Sequence, residues 1–344
     1  MKLSEFDYIL PKELIAQAPL KERASCRLMV LDRARRSINH KVFEDVCGHM
    51  KPGDLLVLND TKVMPARLFG RRDTGGKVEI FLIDSNRVGC SNNRPGWNER
   101  SYEALVRPSG RLKDGERITL ESGARAEVLG KGEVGRFVKF DRPIDDILKS
   151  GHVPLPPYID RIDSIDDREE YQTIYAKKEG ATASPTAGLH FTDKLLEKIK
   201  SQGVAIGFVT LHTNYGTFAP IKTDDVEKHK MHKEYFEIPE ATVNAVRETK
   251  KRGGRVFAVG TTSARSLEYW AREGKTQGYN DLFIYPGLDF KIVDHLITNF
   301  HLPKSTLMLL VSAFAGRDFI MDAYRRAIEA RYRFFSYGDA MLIL

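Results

Sequence analysis

Three cysteines in 344 residues, Cys26, Cys47 and Cys90, are an odd number, widely spaced and without a C-x-x-C pair. That excludes a disulfide framework and a zinc knuckle. There is no H-E-x-x-H, and His229 and His232 lie inside the basic surface stretch Lys228 to Lys233, so no metal is expected. Long apolar runs are missing too. Leu307 to Val311 is too short to span a bilayer, and the first residues, which include Glu5 and Asp7, hold no apolar core of signal-peptide length. A soluble, cytoplasmic chain is the expectation. No G-x-x-x-x-G-K-[ST] or G-x-S-x-G occurs, and no G-x-G-x-x-G joins a strand to a helix. A P-loop nucleotidase, an α/β-hydrolase and a Rossmann dehydrogenase or methyltransferase therefore lose support.

What is present is an ordinary globular composition, 42% hydrophobic, in a chain longer than one core usually organises, so two domains are expected. Lys and Arg number 54 against 47 Asp and Glu, a formal +7. This mild basic excess suits either a polyanion such as RNA or a solvated surface.

Along the chain, a short helix is expected after Pro11, a strand at Leu28 to Leu31 and an amphipathic helix near Phe43 to Met50. Leu55 to Leu58 reads as a strand buried on both faces, ending in Asn59, Asp60, Thr61 and Lys62. From Arg67 to about Phe140, short alternating runs separated by Gly, Asp and Asn predict a small β-barrel, with Ser85 to Ser101 as a long hairpin loop. The prolines of His152 to Arg161 mark an extended exit. Beyond Arg168 helices are expected at Glu169 to Lys177, Asp193 to Ser201, Ala241 to Lys251, Ala264 to Glu273, Thr306 to Ala315 and Phe319 to Arg331. Strands are expected at Val204 to Leu211, Arg255 to Val259, Leu282 to Tyr285, His295 to Thr298 and Phe335 to Ile343. The fold class is therefore α/β: a discontinuous domain with a mixed sheet (1–66 and 151–344) interrupted by a β-barrel-like domain (67–150).

In such sheets ligands gather where strands end and helices begin. One corner is Gly260, Thr261, Thr262 and Ser263 with Arg265 just beyond, suited to an anion or to plain helix capping. A second holds Pro185, Thr186, Gly188 and His190, with Thr192 placed to cap the next helix; His212 follows at a strand end. Histidine exchanges protons near neutral pH, although each ring is equally open to a structural role. A third carries Asn299, His301, Lys304 and Ser305, the serine placed to cap an apolar helix. Ser336, Tyr337 and Asp339 are polar groups in an otherwise apolar segment, needing either internal partners or a ligand.

Taken in order, FDYILPKELIAQAP, PGDLLVLNDTKVMPARLFGR, PLPPYIDR, SPTAGLHFT, VGTTSARSLE, TNFHLPKSTLMLLVSAFAG and AYRRAIEARYRFFSYGDAMLI resemble the S-adenosylmethionine:tRNA ribosyltransferase-isomerases of queuosine biosynthesis along almost the whole chain. Three features depart from that pattern. Thr182 and Ser184 stand where small apolar residues are expected, Thr213-Asn214-Tyr215 replaces Val-Gly-x, and the Ser85 to Ser101 loop is extended. The resemblance implies an α/β domain with an inserted barrel and S-adenosylmethionine as ribosyl donor. It also implies that 7-aminomethyl-7-deazaguanine at the tRNA wobble position becomes epoxyqueuosine, with adenine and methionine released.

His190, His212 and His301 are the expected proton-transfer groups, His190 first because its loop is the most constrained, with Asp60 and Asp339 as rival bases. The methionine carboxylate is expected at Thr261 to Ser263 or at Lys304-Ser305. Phosphates should meet Lys62, Arg67, Arg71, Arg72, Lys228, Lys230 and Lys233, and the target base should stack on Tyr158, Phe191 or Tyr337. A monomer is expected. A non-catalytic RNA-binding protein, or an RNA methyltransferase using the same cofactor, is distinguished by the product.

Overall fold

In the computed structural model, residues 1–83, 100–214, 221 and 223–344 are described. Most of the predicted 85–101 loop, and the 215–220 part of the turn after His212, lie outside these residues.

The main body is a nine-stranded mixed sheet. Its order is Gln277–Asn280, Glu234–Glu237, Ala205–Leu211, Leu55–Asn59, Val256–Val259, His295–Asn299, Ala340–Ile343, Arg27–Asp32 and Ser37–Val42. The four strands from Ala205–Leu211 to His295–Asn299 run parallel, so their carboxyl ends share one edge. Alternation explains how the sheet is covered. Leu55, Val57, Val256 and Ala258 face a core containing Val243, Val246, Ala264, Leu267 and Leu310 from the helices Glu240–Lys251, Gly260–Glu273 and Thr306–Ala315. Leu56, Leu58, Phe257 and Val259 face the other way, onto Phe43, Leu195 and Ile199. Successive side chains of a strand point to opposite faces, so a continuous apolar run is what a sheet covered on both sides requires.

Six antiparallel strands, Arg67–Arg72, Lys77–Leu82, Ser101–Arg107, Arg117–Leu120, Arg125–Lys131 and Arg136–Phe140, close into a barrel with its own core of Leu68, Ile80, Ala104, Ile118, Val128 and Val138. The barrel is inserted into the α/β sequence between the strand Thr61–Val63 and its parallel partner Lys178–Ala181.

Three expected elements differ. The helix expected at Glu169 to Lys177 is a single turn, Asp167–Glu170. Buried Asp167 is bound by Arg161 at 2.6 and 2.7 Å and by Tyr337 Oη at 2.9 Å, and the Gln172 side chain pairs with the Val63 backbone, drawing the chain out toward the strand at Lys178. The strand expected at Leu282 to Tyr285 instead lies at Gln277–Asn280, because Asn280 Oδ1 accepts from Leu282 N–H and turns the chain. The last strand begins only at Ala340. Phe335 sits at φ 70, and Asp339 accepts N–H bonds from Arg27 and Arg333, folding the preceding residues into a turn.

Candidate active site

The three corners converge at the carboxyl edge of the sheet. One cleft, a small one of about 70 Å³, is lined by Ser184, Pro185 and Thr186 from the second corner, Gly260, Thr261 and Thr262 from the first, and Thr298, Asn299 and His301 from the third. Tyr158, Thr213, Phe335 and Ser336 also line it, with Ala183, Ala187, Phe300, Leu302 and Leu307 as its apolar remainder.

Each corner has a local cause. Gly260, at φ 82, makes the turn from Val259 straight into the helix Gly260–Glu273. Thr261 to Ser263 therefore belong to the helix's first turn rather than preceding it, and no side chain caps that turn. Asn59, at the end of its strand, donates to Leu211 O and to Thr262 Oγ1, both at 3.1 Å, tying three strand ends together. At the third corner Ser305 caps the helix Thr306–Ala315, its Oγ accepting from Met308 N–H at 3.1 Å. Thr192 does the same for Asp193–Ser201.

The three histidines occupy different layers. His301 lines the cleft, and its Nε2 lies 2.8 Å from Thr298 Oγ1. Burial lowers its pKa to about 3, so the ring is neutral at physiological pH. His190 stands behind Asn299, whose Nδ2 donates to His190 Nε2 at 3.0 Å. The proton of the neutral ring is therefore on Nδ1, facing Cys26 Sγ at 3.1 Å. Burial, then Arg333 and Arg23, lower the His190 pKa to about 4, while burial raises that of the Cys26 thiol, so this contact joins two neutral groups. Asn299 Oδ1 in turn accepts from Thr186 Oγ1 at 3.1 Å, so His190 fixes the orientation of a cleft residue. His212 Nδ1 meets Thr61 Oγ1 at 2.7 Å, and the ring stacks on Tyr235, placing its neighbour Thr213 in the wall.

Several expected ligand groups are engaged elsewhere. Arg265 does not line the cleft; its guanidinium pairs with buried Glu234 and donates to Leu282 O. Lys304 pairs with Asp7 at 2.7 Å, Lys62 with Glu179 at 2.8 Å and Arg67 with Glu79 at 2.7 Å. Asp60 accepts from Thr210 Oγ1 at 2.6 Å. Tyr337 and Asp339 hold Asp167, Arg27 and Arg333 in place, and Phe191 is wholly buried against Phe43. Gly188 provides room rather than a ligand contact, since a Cβ there would stand 2.0 Å from Tyr175 Oη. Ser336 Oγ is 2.6 Å from Tyr158 Oη beside the cleft.

Ser184, Thr213 and Phe335 were not expected to form the wall. The first two were conspicuous only as hydroxyls at small or apolar positions, and Phe335 gave no signal because its place depends on a positive φ. Among the described residues no group of three or more His, Cys, Asp or Glu side chains could hold a metal ion.

A family profile described as "Queuosine biosynthesis protein" matches residues 3–343. The S-adenosylmethionine:tRNA ribosyltransferase-isomerase of Sulfurihydrogenibium sp. (strain YO3AOP1) is 53% identical over 347 residues, and that of Thermotoga petrophila 51% over 350, each covering 100% of both chains. The crystal structure of an S-adenosylmethionine tRNA ribosyltransferase from Thermotoga maritima is similar with a TM-score of 0.56 and 42% identity, covering 99% of this chain and 100% of that one. A match that begins at residue 3, ends at residue 343 and spans sheet, barrel and cleft alike makes this chain a member of the queuosine biosynthesis protein family.

Proposed function

We propose that the chain is a transferase that moves and isomerises the ribosyl moiety of S-adenosylmethionine onto the aminomethyl group of 7-aminomethyl-7-deazaguanine at the tRNA wobble position. The products are epoxyqueuosine-tRNA, adenine and methionine. The observation that carries this reading is identity above half, over the whole chain, to a relative bearing the name of that activity.

The chemistry asks for little that the cleft lacks. The sulfonium acidifies the adjacent 5′ carbon. The imidazole of His301, oriented by Thr298, is the cleft group placed to take a proton there and return it to the departing adenine; its burial makes it a weak base in the free protein and its imidazolium a strong acid toward adenine. Methionine leaves as a neutral thioether and needs no proton. His190 acts through Asn299 as a positioning residue, and His212 holds the Thr213 segment. Tyr158 is the aromatic platform for the extruded base.

Exposed Arg71, Lys230 and Lys233 meet tRNA phosphates first, because Lys62, Arg67, Arg72 and Lys228 are paired with Glu179, Glu79, Glu116 and Asp225. The chain divides functionally into 1–66 with 151–344, which carries the cleft, and the barrel at 67–150. It works as a monomer in the cytoplasm, where its tRNA is found. No helix among the described residues is long and apolar enough to cross a membrane.

The test is to incubate purified protein with S-adenosylmethionine and tRNA carrying the aminomethyl base, then weigh the nucleoside. Addition of the epoxycyclopentane group supports the reading. Addition of a methyl group, or an unchanged mass, contradicts it.

A further inference from the structure

The cleft is unusual in its lack of charge. Among its described lining residues there is no Asp, Glu, Lys or Arg, and its histidine is neutral. It nevertheless contains two buried hydroxyls without a hydrogen-bond partner, Ser184 Oγ and Thr213 Oγ1, in residues that are 7% and 3% exposed. Leaving such a group unpaired costs on the order of 1–3 kcal/mol, so each of these two hydroxyls has a bond to gain from a ligand in the cleft. The two belong to one unit. Thr182 N–H donates to Thr213 O at 2.8 Å and Thr182 Oγ1 to the same oxygen at 3.3 Å, fixing the 182–184 segment against residue 213.

The same cleft contains the uncapped first turn of the 14-residue helix Gly260–Glu273. The first N–H groups of a helix lack intrahelical acceptors and carry the positive end of its dipole. The alternative anion site at the third corner is already used. Ser305 caps its own helix there, and Lys304 is turned to Asp7.

We infer that the Gly260–Thr262 turn receives the carboxylate of the methionyl portion of S-adenosylmethionine, with the Ser184 and Thr213 hydroxyls donating to it. This rests on the reaction proposed above and adds where the donor's amino-acid end is held. Backbone N–H groups and neutral hydroxyls bind the carboxylate without a fixed cation, which would repel the adjacent sulfonium.

The test compares S-adenosylmethionine with 5′-methylthioadenosine, which keeps the nucleoside and sulfur but has no carboxylate. Titration calorimetry on Ser184→Ala and Thr213→Val, with thermal unfolding as a check on the fold, should show S-adenosylmethionine binding weakened roughly ten- to 150-fold in each, the range for a bond to a charged group. Binding of 5′-methylthioadenosine should be unchanged, and Thr213→Ser, which keeps the hydroxyl, should bind like the wild type. Variants that bind S-adenosylmethionine normally, or that weaken both ligands equally because the hydroxyls face the ribose, overturn the inference alone. Wild-type protein that binds neither ligand overturns the proposed reaction as well.

Discussion

At the scale of residues, two buried histidines have opposite relations to the cleft. His301 faces it with a neutral ring, whereas His190 has both nitrogens occupied and reaches it only through Asn299. His301→Gln should therefore lower kcat by roughly a hundred-fold or more, the usual worth of a proton-transfer group, with tRNA affinity unchanged in a filter-binding titration. Both rings also bear on stability. Burial puts their pKa values at about 3 and about 4, below the ordinary 6.5. Between pH 6.5 and 4 the unfolded chain binds more protons than the folded one, so their contribution is complete above pH 6.5 and falls as the pH drops through that window. Urea unfolding at pH 7 and pH 4.5 should show this loss, and His301→Gln should make it smaller; an unchanged difference would contradict a neutral buried His301.

At the scale of elements, the ion pair of Arg265 with Glu234 braces the cleft wall from behind. Both side chains are almost wholly buried, and Glu234 Oε1 also accepts from Asn214 N–H, next to Thr213. Glu234→Ala strands a buried guanidinium, so chemical denaturation should show a loss of about 3–5 kcal/mol. Ser305→Ala, which removes the helix cap and the hydroxyl's bond to Leu302 O, should cost about 1–2 kcal/mol.

The same physics explains what the sequence made legible. Thr192 and Ser305 stand directly before their helices as caps, so Asp193–Ser201 and Thr306–Ala315 were readable to the residue. Apolar runs announced the central strands, and short alternation announced the barrel. Arg265 looked like an anion ligand because its partner Glu234 lies 31 positions away in the chain and no local pattern connects them. Asp167 redirected the chain through its bond to distant Tyr337, Asn280 through a local side-chain bond to Leu282 N–H, and Phe335 through a positive φ, none of which periodicity registers.

At the scale of the molecule, a larger groove of about 580 Å³ runs between the barrel residues Arg67, Phe69 and Arg107 and the segment Pro154 to Ile162, and Thr182 brings it to the edge of the cleft. An RNA strand laid along the barrel face would arrive beside Tyr158 and Ser184. If Arg71 meets a phosphate, Arg71→Ala should weaken tRNA binding and lower the slope of log K against log salt by about one; an unaltered slope would remove Arg71 from the interface.

On the function proposed above, the carboxyl edge of the parallel strands, and not the barrel groove, holds the ribosyl donor. A crystal structure of this protein with S-adenosylmethionine tests it most directly. Density is expected in the cleft between Gly260–Thr262 and His301, with the sulfonium-bearing carbon within reach of the imidazole. Density for the ligand between the barrel and Pro154 to Ile162, with this cleft unoccupied, would contradict it.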